Sequence, residues 1–308
     1  MNDQLFRKRL ENFQREGQPL AFNLAAVAEA LDTITELREQ NIGGETVERR
    51  LGEYKSWDPE VFKVDKDTED GFRKRLEERG EPVVLLSEEA GRLEIGRGQP
   101  AYYVVADPFD GSWLFKRGIP DFWYSSLAFF DREFNPVSCA VSDAVQRTIA
   151  FAKKGGAYLA KLEGDQLAHT VKLDRNYREL MGRKDVTELE QAGIESYAMK
   201  PKKFLLPLVD RYRAVMEPFK FFLPNGGPYG FVDVAEGKID VYFAPRQPYV
   251  DIFSGIMVAL EAGAVVTDFE GRAVKASDNV KSVLDVVASS NQKLHDKVLE
   301  VIAKCPKR

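Results

Sequence analysis

Hydrophobic residues at spacings of three and four predict helices in the first part of the chain. The clearest case spans residues 19–40, where the pattern is carried by Leu20, Leu24, Val27, Leu31, Ile34 and Leu37. Similar patterns predict helices over residues 4–16 and around residues 67–79. Gly43 and Gly44 end the long helix, because glycine favours helix termination.

The pattern then changes to short apolar or alternating runs bounded by turn residues, which are typical of strands. These runs cover residues 82–86, 101–106, 126–130, 137–141, 148–152 and 157–160. Runs so close together predict a mostly antiparallel sheet, and the preceding helices are expected to cover it.

From about residue 173 helical and strand patterns alternate, which predicts a layered α/β unit. Helices are predicted over 204–216, 251–262 and 291–302, and strands over 239–243, 265–268 and 284–288. We therefore expect an N-terminal α+β domain over residues 1–172 and a C-terminal α/β domain over residues 173–308, with a cleft between them.

The composition limits the chemistry of any site. The 308 residues include two His and two Cys, which excludes a Cys/His zinc site of standard spacing, whereas Asp and Glu number 49. Any metal should therefore be held by carboxylates. A net charge of -5 without a basic face argues against nucleic acid as a partner. No apolar run reaches the roughly 18–20 residues that span a bilayer, and the N-terminus lacks a signal-peptide core, so we expect a cytoplasmic protein without membrane contact.

Three acidic sites stand at predicted strand ends or at a helix start. Glu88 and Glu89 follow one strand, Asp107 and Asp110 follow the next, and Asp251 opens a helix. Each has an ordinary explanation: a solvated strand end for the Glu pair, an Asp-rich turn for the Asp pair, and a helix-dipole acid for Asp251. These separate explanations do not account for the occurrence of three sites of the same charge type in one chain.

Several carboxylates in one cleft repel one another, and a hard divalent cation with oxygen ligands relieves that repulsion. Pro108 and Gly111 are expected to fix a turn that also directs a backbone carbonyl, that of Phe109, toward the ions. Ser112 is expected to cap the next helix, whose N-terminal N–H groups would bind phosphate. These features predict a metal-dependent phosphomonoesterase.

The motifs resemble those of the inositol monophosphatase family, within the lithium-sensitive, Mg²⁺-dependent phosphatases that include fructose-1,6-bisphosphatase. The matching segments are Asp107-Pro-Phe-Asp-Gly-Ser112, Ser87-Glu-Glu89, Asp65-Lys-Asp-Thr-Glu69 and Asp251-Ile-Phe-Ser-Gly255 followed by Glu261-Ala-Gly263. The resemblance covers roughly residues 20–305, and the pattern after Asp110 is closest to the archaeal dual-activity members. It implies an α/β (α+β) fold, a layered α-β-α-β-α sandwich of the sugar phosphatase type.

The resemblance also implies roles for individual residues. The metal ligands would be Glu88, Asp107, the Phe109 carbonyl, Asp110 and Asp251, which would hold two or three Mg²⁺ ions, with Mn²⁺ as a substitute. Asp65 and Ser112 would act in catalysis by polarising the attacking water, and Glu88, also assigned to catalysis, would help to hold a weaker third ion. The implied reaction is in-line attack of a metal-activated water on phosphorus.

Substrate contacts are expected from Gly111, Ser112, Asn225, Gly226, Gly227 and Arg246. Ala244 stands where animal relatives have an acid that contacts inositol, so strict inositol specificity is not expected.

The predicted substrate is a small sugar or inositol phosphate, namely inositol-1-phosphate or fructose-1,6-bisphosphate. Two alternatives remain open: a 3'(2'),5'-bisphosphate nucleotidase with the same metal core, and a catalytically silent regulatory homologue. The resemblance further implies lithium sensitivity and a homodimer.

Overall fold

A computed structural model describes residues 2–50 and 58–306 of the chain. Contacts divide the chain into two compact units. Unit 1 comprises Met1–Lys154, Tyr158–Val171 and Ala276–Lys281, and unit 2 comprises Gly155–Ala157, Lys172–Lys275 and Ser282–Arg308.

Unit 1 contains four helices and an eight-stranded sheet among its described residues. The helices are α1 (Asp3–Phe13), extended by a 3₁₀ turn (Gln14–Glu16), α2 (Leu20–Glu39), α3 (Lys63–Arg79) and α4 (Ser112–Arg117). A two-stranded ribbon is formed by β1 (Thr46–Arg49) and β2 (Glu60–Phe62). The large sheet contains β3 (Val83–Ser87), β4 (Gly91–Ile95), β5 (Tyr102–Asp110), β6 (Tyr124–Phe130), β7 (Pro136–Asp143), β8 (Thr148–Lys153), β9 (Gly156–Glu163) and β10 (Gln166–Leu173).

The order of the large sheet is β10-β9-β8-β7-β6-β5-β3-β4. Strand β5 pairs antiparallel with β6, β6 with β7 and β7 with β8, whereas β3 and β5 are parallel. The helices α1, α2 and α3 share one hydrophobic core with alternate residues of these strands. The predicted, mostly antiparallel sheet covered by helices is therefore confirmed.

The N-terminal helix α1 is tied to the rest of unit 1 by buried polar contacts. The Arg9 guanidinium is 2% exposed, donates to the Gly164 carbonyl at 2.7 Å and pairs with Asp32 at 2.7 Å. Arg75 of α3 pairs with Glu29 of α2 and with Asp3 of α1. Residues 2–18 thus belong to the packed unit.

Unit 2 is built on a five-stranded sheet of order β12-β11-β13-β15-β14. Its strands are β11 (Gly193–Glu195), β12 (Phe221–Leu223), β13 (Val241–Pro248), β14 (Val265–Asp268) and β15 (Val283–Ser289). Its α-helices are α5 (Arg175–Leu180), α6 (Leu206–Met216), α7 (Gly227–Glu236), α8 (Tyr249–Glu261) and α9 (Gln292–Ile302). A 3₁₀ turn covers Leu189–Gln191, and a π-helical turn at Pro201–Leu205 precedes α6.

Helices cover both faces of this sheet. Val241 and Phe243 of β13 share a core with α6 and α9. Tyr242, which alternation points to the opposite face, packs against Phe231 of α7 with ring centroids 4.8 Å apart. Buried His295 of α9 contacts the hydroxyl oxygens of Ser289 at 3.0 Å and Thr267 at 2.9 Å, so its role is structural. Because both units consist of helices packed on sheets, the predicted α/β class is confirmed.

Candidate active site

The parallel pairing of β3 and β5 brings Glu88 and Asp107 together. Ser87 and Ala106 are partners at the ends of the two strands, and the Glu88 N–H donates to the Ala106 carbonyl at 3.3 Å. The residues that follow this pair, Glu88 and Asp107, are therefore both acids, and they lie at the same edge of the sheet. Carboxylate oxygens of Glu88 and Asp107 lie within 4.8 Å of each other, and Asp107 is buried.

Strand β5 continues past its predicted end at residue 106 and includes both acids of the Asp107-Asp110 motif. Asp107 pairs with Ser126 and Asp110 with Tyr124, so three steps along β5 oppose two steps along β6. This irregularity contains Pro108, which has no N–H to donate to the ladder. In a regular strand, residues three apart point to opposite faces of the sheet. Because β5 has one extra residue here relative to β6, Asp107 and Asp110 point to the same face.

Gly111 allows the chain to turn directly after Asp110. Its φ is +106°, and a Cβ added there would lie 1.9 Å from the Phe122 carbonyl oxygen. Gly111 is also the N-cap of α4, so the prediction that Ser112 caps this helix is wrong: Ser112 is its first helical residue. Phe109, beside this turn, is buried against Phe115 with ring centroids 5.7 Å apart.

Asp65 lies in the first turn of α3, which begins four residues before the predicted start at 67. Its carboxylate accepts a hydrogen bond from the Phe62 N–H at 2.8 Å and is 1% exposed. Burial raises the pKa of Asp65, and the nearby charge of Glu88 raises it further. The nearby Ser112 hydroxyl and the hydrogen bond from the Phe62 N–H act in the opposite direction. The structure therefore brings Asp65, Glu88 and Ser112 of unit 1 together.

A second buried acid supports the end of β3 from the same helix. Glu69 is one helical turn after Asp65 and accepts a hydrogen bond from the Ser87 hydroxyl. Burial raises the pKa of Glu69 to about 7. This contact fixes the residue that directly precedes Glu88.

Sequence reasoning missed Arg50, which follows β1. Its guanidinium pairs with Glu89 and lies 3.5 Å from Glu88. These acids raise the pKa of Arg50, although burial opposes them. No pattern in the sequence marks this arginine, because Arg49-Arg50 reads as two surface cations beside a polar segment.

In unit 2, Asp251 is the third residue of α8 and lies in its first turn. The later glycine of this motif serves packing between helices: a Cβ at Gly255 would lie 2.1 Å from the Pro228 carbonyl oxygen of α7. The motif thus combines an acid at the start of α8 with a close approach of α7 and α8.

The predicted substrate residues Asn225, Gly226 and Gly227 form the start of α7, a helix that the sequence did not predict. The buried Asn225 side chain accepts a hydrogen bond from the Gly226 N–H at 2.6 Å. A Cβ at Gly226 would lie 2.6 Å from the Tyr197 Cβ and 2.7 Å from the Tyr242 hydroxyl. The glycine is therefore required for packing at this position.

Arg246 lies at an irregularity of β13, between Ala244 and Gln247. Its φ is +56°, a strained value for a residue with a Cβ, and its N–H donates to Asp285 at 2.9 Å. The exposed Arg246 also lines a cavity of about 270 Å³, to which Lys203 and Arg211 contribute. Strained backbone of this kind clusters at binding sites.

Comparisons with known proteins agree with the sequence motifs. The family model described as the inositol monophosphatase family matches residues 18–307. The chain belongs to the inositol monophosphatase family. Members of this family are metal-dependent phosphatases, hydrolases of phosphoric monoesters. The resemblance inferred from the motifs is confirmed.

Individual relatives cover most of the chain. The fructose-1,6-bisphosphatase/inositol-1-monophosphatase of Thermococcus kodakarensis is 30% identical, over 92% of this chain and 98% of the relative. The fructose-1,6-bisphosphatase of Pyrococcus furiosus is 29% identical, over 78% and 82%. The fold is shared with the extragenic suppressor protein suhB of Bartonella henselae, with a TM-score of 0.70, 20% identity and coverage of 91% and 96%. Among the described residues, no helix is long and apolar enough to span a membrane.

Proposed function

We propose that this family member is a Mg²⁺-dependent phosphomonoesterase that hydrolyses a small sugar or inositol phosphate. The observation that carries the proposal is the edge of the large sheet in unit 1. There Glu88 and Asp107 lie side by side, and Asp65 is close enough to both Ser112 and Glu88 for each to change its pKa. This combination of metal ligands beside a hydroxyl and a buried carboxylate is suited to hydrolysis of a phosphate ester.

We propose that Glu88, Asp107 and Asp251 hold a divalent cation, with Asp110 and the Phe109 carbonyl as further ligands. Carboxylate oxygens of Glu88 and Asp107, both in unit 1, lie within 4.8 Å of each other. The donor set fits Mg²⁺ or Mn²⁺, which favour oxygen ligands. A bound cation would supply charge stabilisation for the phosphoryl group and make a bound water more acidic.

The residues of the chain would orient the nucleophile and accept its proton. The Ser112 hydroxyl, which lies close enough to Asp65 to lower its pKa, is suited to accept a hydrogen bond from a water and to fix its direction. Asp65 is the group that would receive the proton, because its buried position raises its pKa above the ordinary range. Gly111, with its φ of +106°, allows the turn that joins Asp110 to Ser112.

For the substrate, we propose a sugar phosphate that carries a second anionic group. Arg246, Lys203 and Arg211 line one cavity together with one acid, Asp210, and burial and the Arg246 charge lower the pKa of Lys203 below its ordinary value. Such a concentration of positive charge suits a phosphate. Ala244 offers no carboxylate to the hydroxyls of inositol. The Thermococcus relative is named for both activities, which is consistent with a site that accepts either substrate.

The test is phosphate release with Mg²⁺ from inositol-1-phosphate, fructose-1,6-bisphosphate and adenosine 3',5'-bisphosphate. We expect turnover of the first two, and Arg246→Gln should raise the KM for fructose-1,6-bisphosphate about tenfold or more while changing inositol-1-phosphate hydrolysis little. Arg213→Gln, at an exposed cation of α6, is the control. Preference for the adenosine compound would indicate a nucleotidase, and no turnover with metal bound would contradict the proposal.

A further inference from the structure

Arg50 is a cation placed among the acids of unit 1. One Nη atom of its guanidinium lies 3.5 Å from Glu88 Oε1 and pairs with Glu89. The Arg50 side chain is 11% exposed, and those of Glu88 and Glu89 are 12% and 8% exposed. An ion pair with so little solvent contact is screened far less by water and salt than a surface pair.

The backbone around Arg50 holds the guanidinium in this position. Its other Nη atom donates to the Asp58 carbonyl at 2.6 Å, and the Arg50 N–H donates to the Pro59 carbonyl at 2.8 Å. Strand β1, which ends at Arg49, pairs antiparallel with β2. Arg50 therefore lies directly after strand β1 of the ribbon. Hydrogen bonds to two backbone carbonyls hold the residue and its guanidinium beside the acids.

The charge arrangement indicates what this arginine does. The described acids of this region in unit 1 include Asp58, Asp65, Glu69, Glu88, Glu89, Asp107 and Asp110. Glu88 is shared: it lies beside Asp107 on one side and Arg50 on the other. A cation that binds between Glu88 and Glu89 would have to displace the guanidinium, whereas a cation between Glu88 and Asp107 would not.

We propose that Arg50 occupies the place of a weakly held third metal ion, so that the site takes up two divalent ions and the guanidinium provides the remaining positive charge. This inference rests on the proposed metal-dependent function. It explains why a permanently charged arginine stands here: one Nη atom lies beside both Glu88 and Glu89, while the other is held by the Asp58 carbonyl. It also assigns a role to Glu89, which is to hold the guanidinium.

The test counts bound ions and does not require activity. Metal-stripped full-length protein is titrated with Mn²⁺, and free Mn²⁺ is measured by electron paramagnetic resonance. We expect two ions for the wild type. Arg50→Gln should bind one more ion, or bind its weakest ion at least about tenfold more tightly, a coupling of ordinary size between two neighbouring charges. Arg50→Lys keeps the charge and should stay close to the wild type. The matched control is Arg49→Gln, whose side chain is 70% exposed.

Unchanged stoichiometry and affinities in folded Arg50→Gln would overturn the inference, as would the loss of all Mn²⁺ binding. If Arg50→Gln does not fold, the Arg50 side-chain NMR signal of the wild type is followed during a Mg²⁺ titration. This signal is assigned by its absence from the spectrum of Arg50→Lys. The Arg50 signal should persist through two equivalents of Mg²⁺, and its release by the first equivalent would overturn the inference. Absence of phosphatase activity with the expected ion counts would refute only the proposed function.

Discussion

Arg75 of α3 offers a sharp test of what holds unit 1 together. Its guanidinium is 2% exposed and makes two hydrogen bonds to Glu29 of α2, at 2.8 and 2.6 Å. It also pairs with Glu78 at 2.7 Å and Asp3 at 3.0 Å, and it lies 4.1 Å from the ring centroid of Phe6. The perturbation is Arg75→Met, which keeps the aliphatic stem and removes the charge.

The expected loss of stability comes mainly from one partner. Glu29 is 8% exposed, and without Arg75 its carboxylate is left without its buried bidentate partner. Removing one partner of a buried pair lowers stability by about 3–5 kcal/mol. The side chains of Glu78 and Asp3 are about half exposed, so each of those pairs adds about 0–1 kcal/mol. We therefore expect Arg75→Met to lower the free energy of unfolding of unit 1 by about 3–5 kcal/mol.

Tryptophan fluorescence can report this loss for unit 1 alone. The three tryptophans are residues 57, 113 and 123, which all fall within the first segment of unit 1, and Trp123 is buried. Urea unfolding of the metal-free protein, followed by fluorescence, gives the midpoint and the slope for each variant. Equal slopes would show that the denatured states are comparable.

Two further variants test whether the unpaired Glu29 carboxylate causes the loss of stability. In Arg75→Met/Glu29→Leu both charges are gone, so we expect more than half of the lost stability to return, because apolar replacements of buried ion pairs are often neutral or better. Arg73→Met removes an exposed cation of the same helix, whose pairs at 3.6 and 4.0 Å should contribute about 0.5 kcal/mol or less. A loss below about 1 kcal/mol in Arg75→Met, or a double variant no more stable than the single one, would refute the reasoning.

Three other variants test separate features. Asp110→Asn should lower kcat by orders of magnitude and weaken Mg²⁺ binding while melting stays close to the wild type, with Asp70→Asn on the surface of α3 as the control; near-normal turnover would remove Asp110 from the metal site. Gly111→Ala should destabilise unit 1 by about 2–5 kcal/mol, since the new Cβ meets the Phe122 carbonyl and the positive φ is unfavourable; an unchanged urea midpoint would contradict this. Burial lowers the pKa of His295 below 6.5, so this group binds more protons in the unfolded chain, and its contribution to stability should decline as the pH falls below about 6.5, by at most about 1.4 kcal/mol per pH unit. The raised pKa values of Asp65 and Glu69 act in the opposite direction. His295→Gln lacks the histidine contribution, so calorimetry between pH 5 and 8 should show the wild type losing stability relative to the variant as the pH falls.

The sequence predicted elements whose pattern repeats over many residues. The predicted bounds of the long helix α2 differ from the observed ones by one residue at each end, and alternating or apolar runs located six of the eight described strands of the large sheet, all but β4 and β10. The Asp107-Pro-Phe-Asp-Gly-Ser112 motif predicted acids at the end of a strand, and the structure places Asp107 beside Glu88. These features depend on local composition and are therefore visible without the fold.

Other features depend on contacts between distant segments and could not be predicted. Helix α7 contains two glycines and a proline among its ten residues, so its propensity is low; it forms because every one of its residues is buried. The extra residue in β5 that aligns Asp107 with Asp110 appears only in the pairing with β6. Arg50 is 38 residues from Glu88, and no periodicity connects them.

The pairing of β3 with its two neighbours also has a consequence for how this chain can change during evolution or engineering. At one end of β3, Ser87 is paired with Gly91 and Ala106, and the turn over residues 88–90 begins with Glu88. At the other end, Val83 is paired with Ile95 and Tyr102, and the connection over residues 96–101 lies there. A Cβ at Gly98 in this connection would meet no atom within 4 Å. Insertions should therefore be tolerated over 96–101, the natural place for a graft, whereas the length of the 88–90 turn should stay fixed.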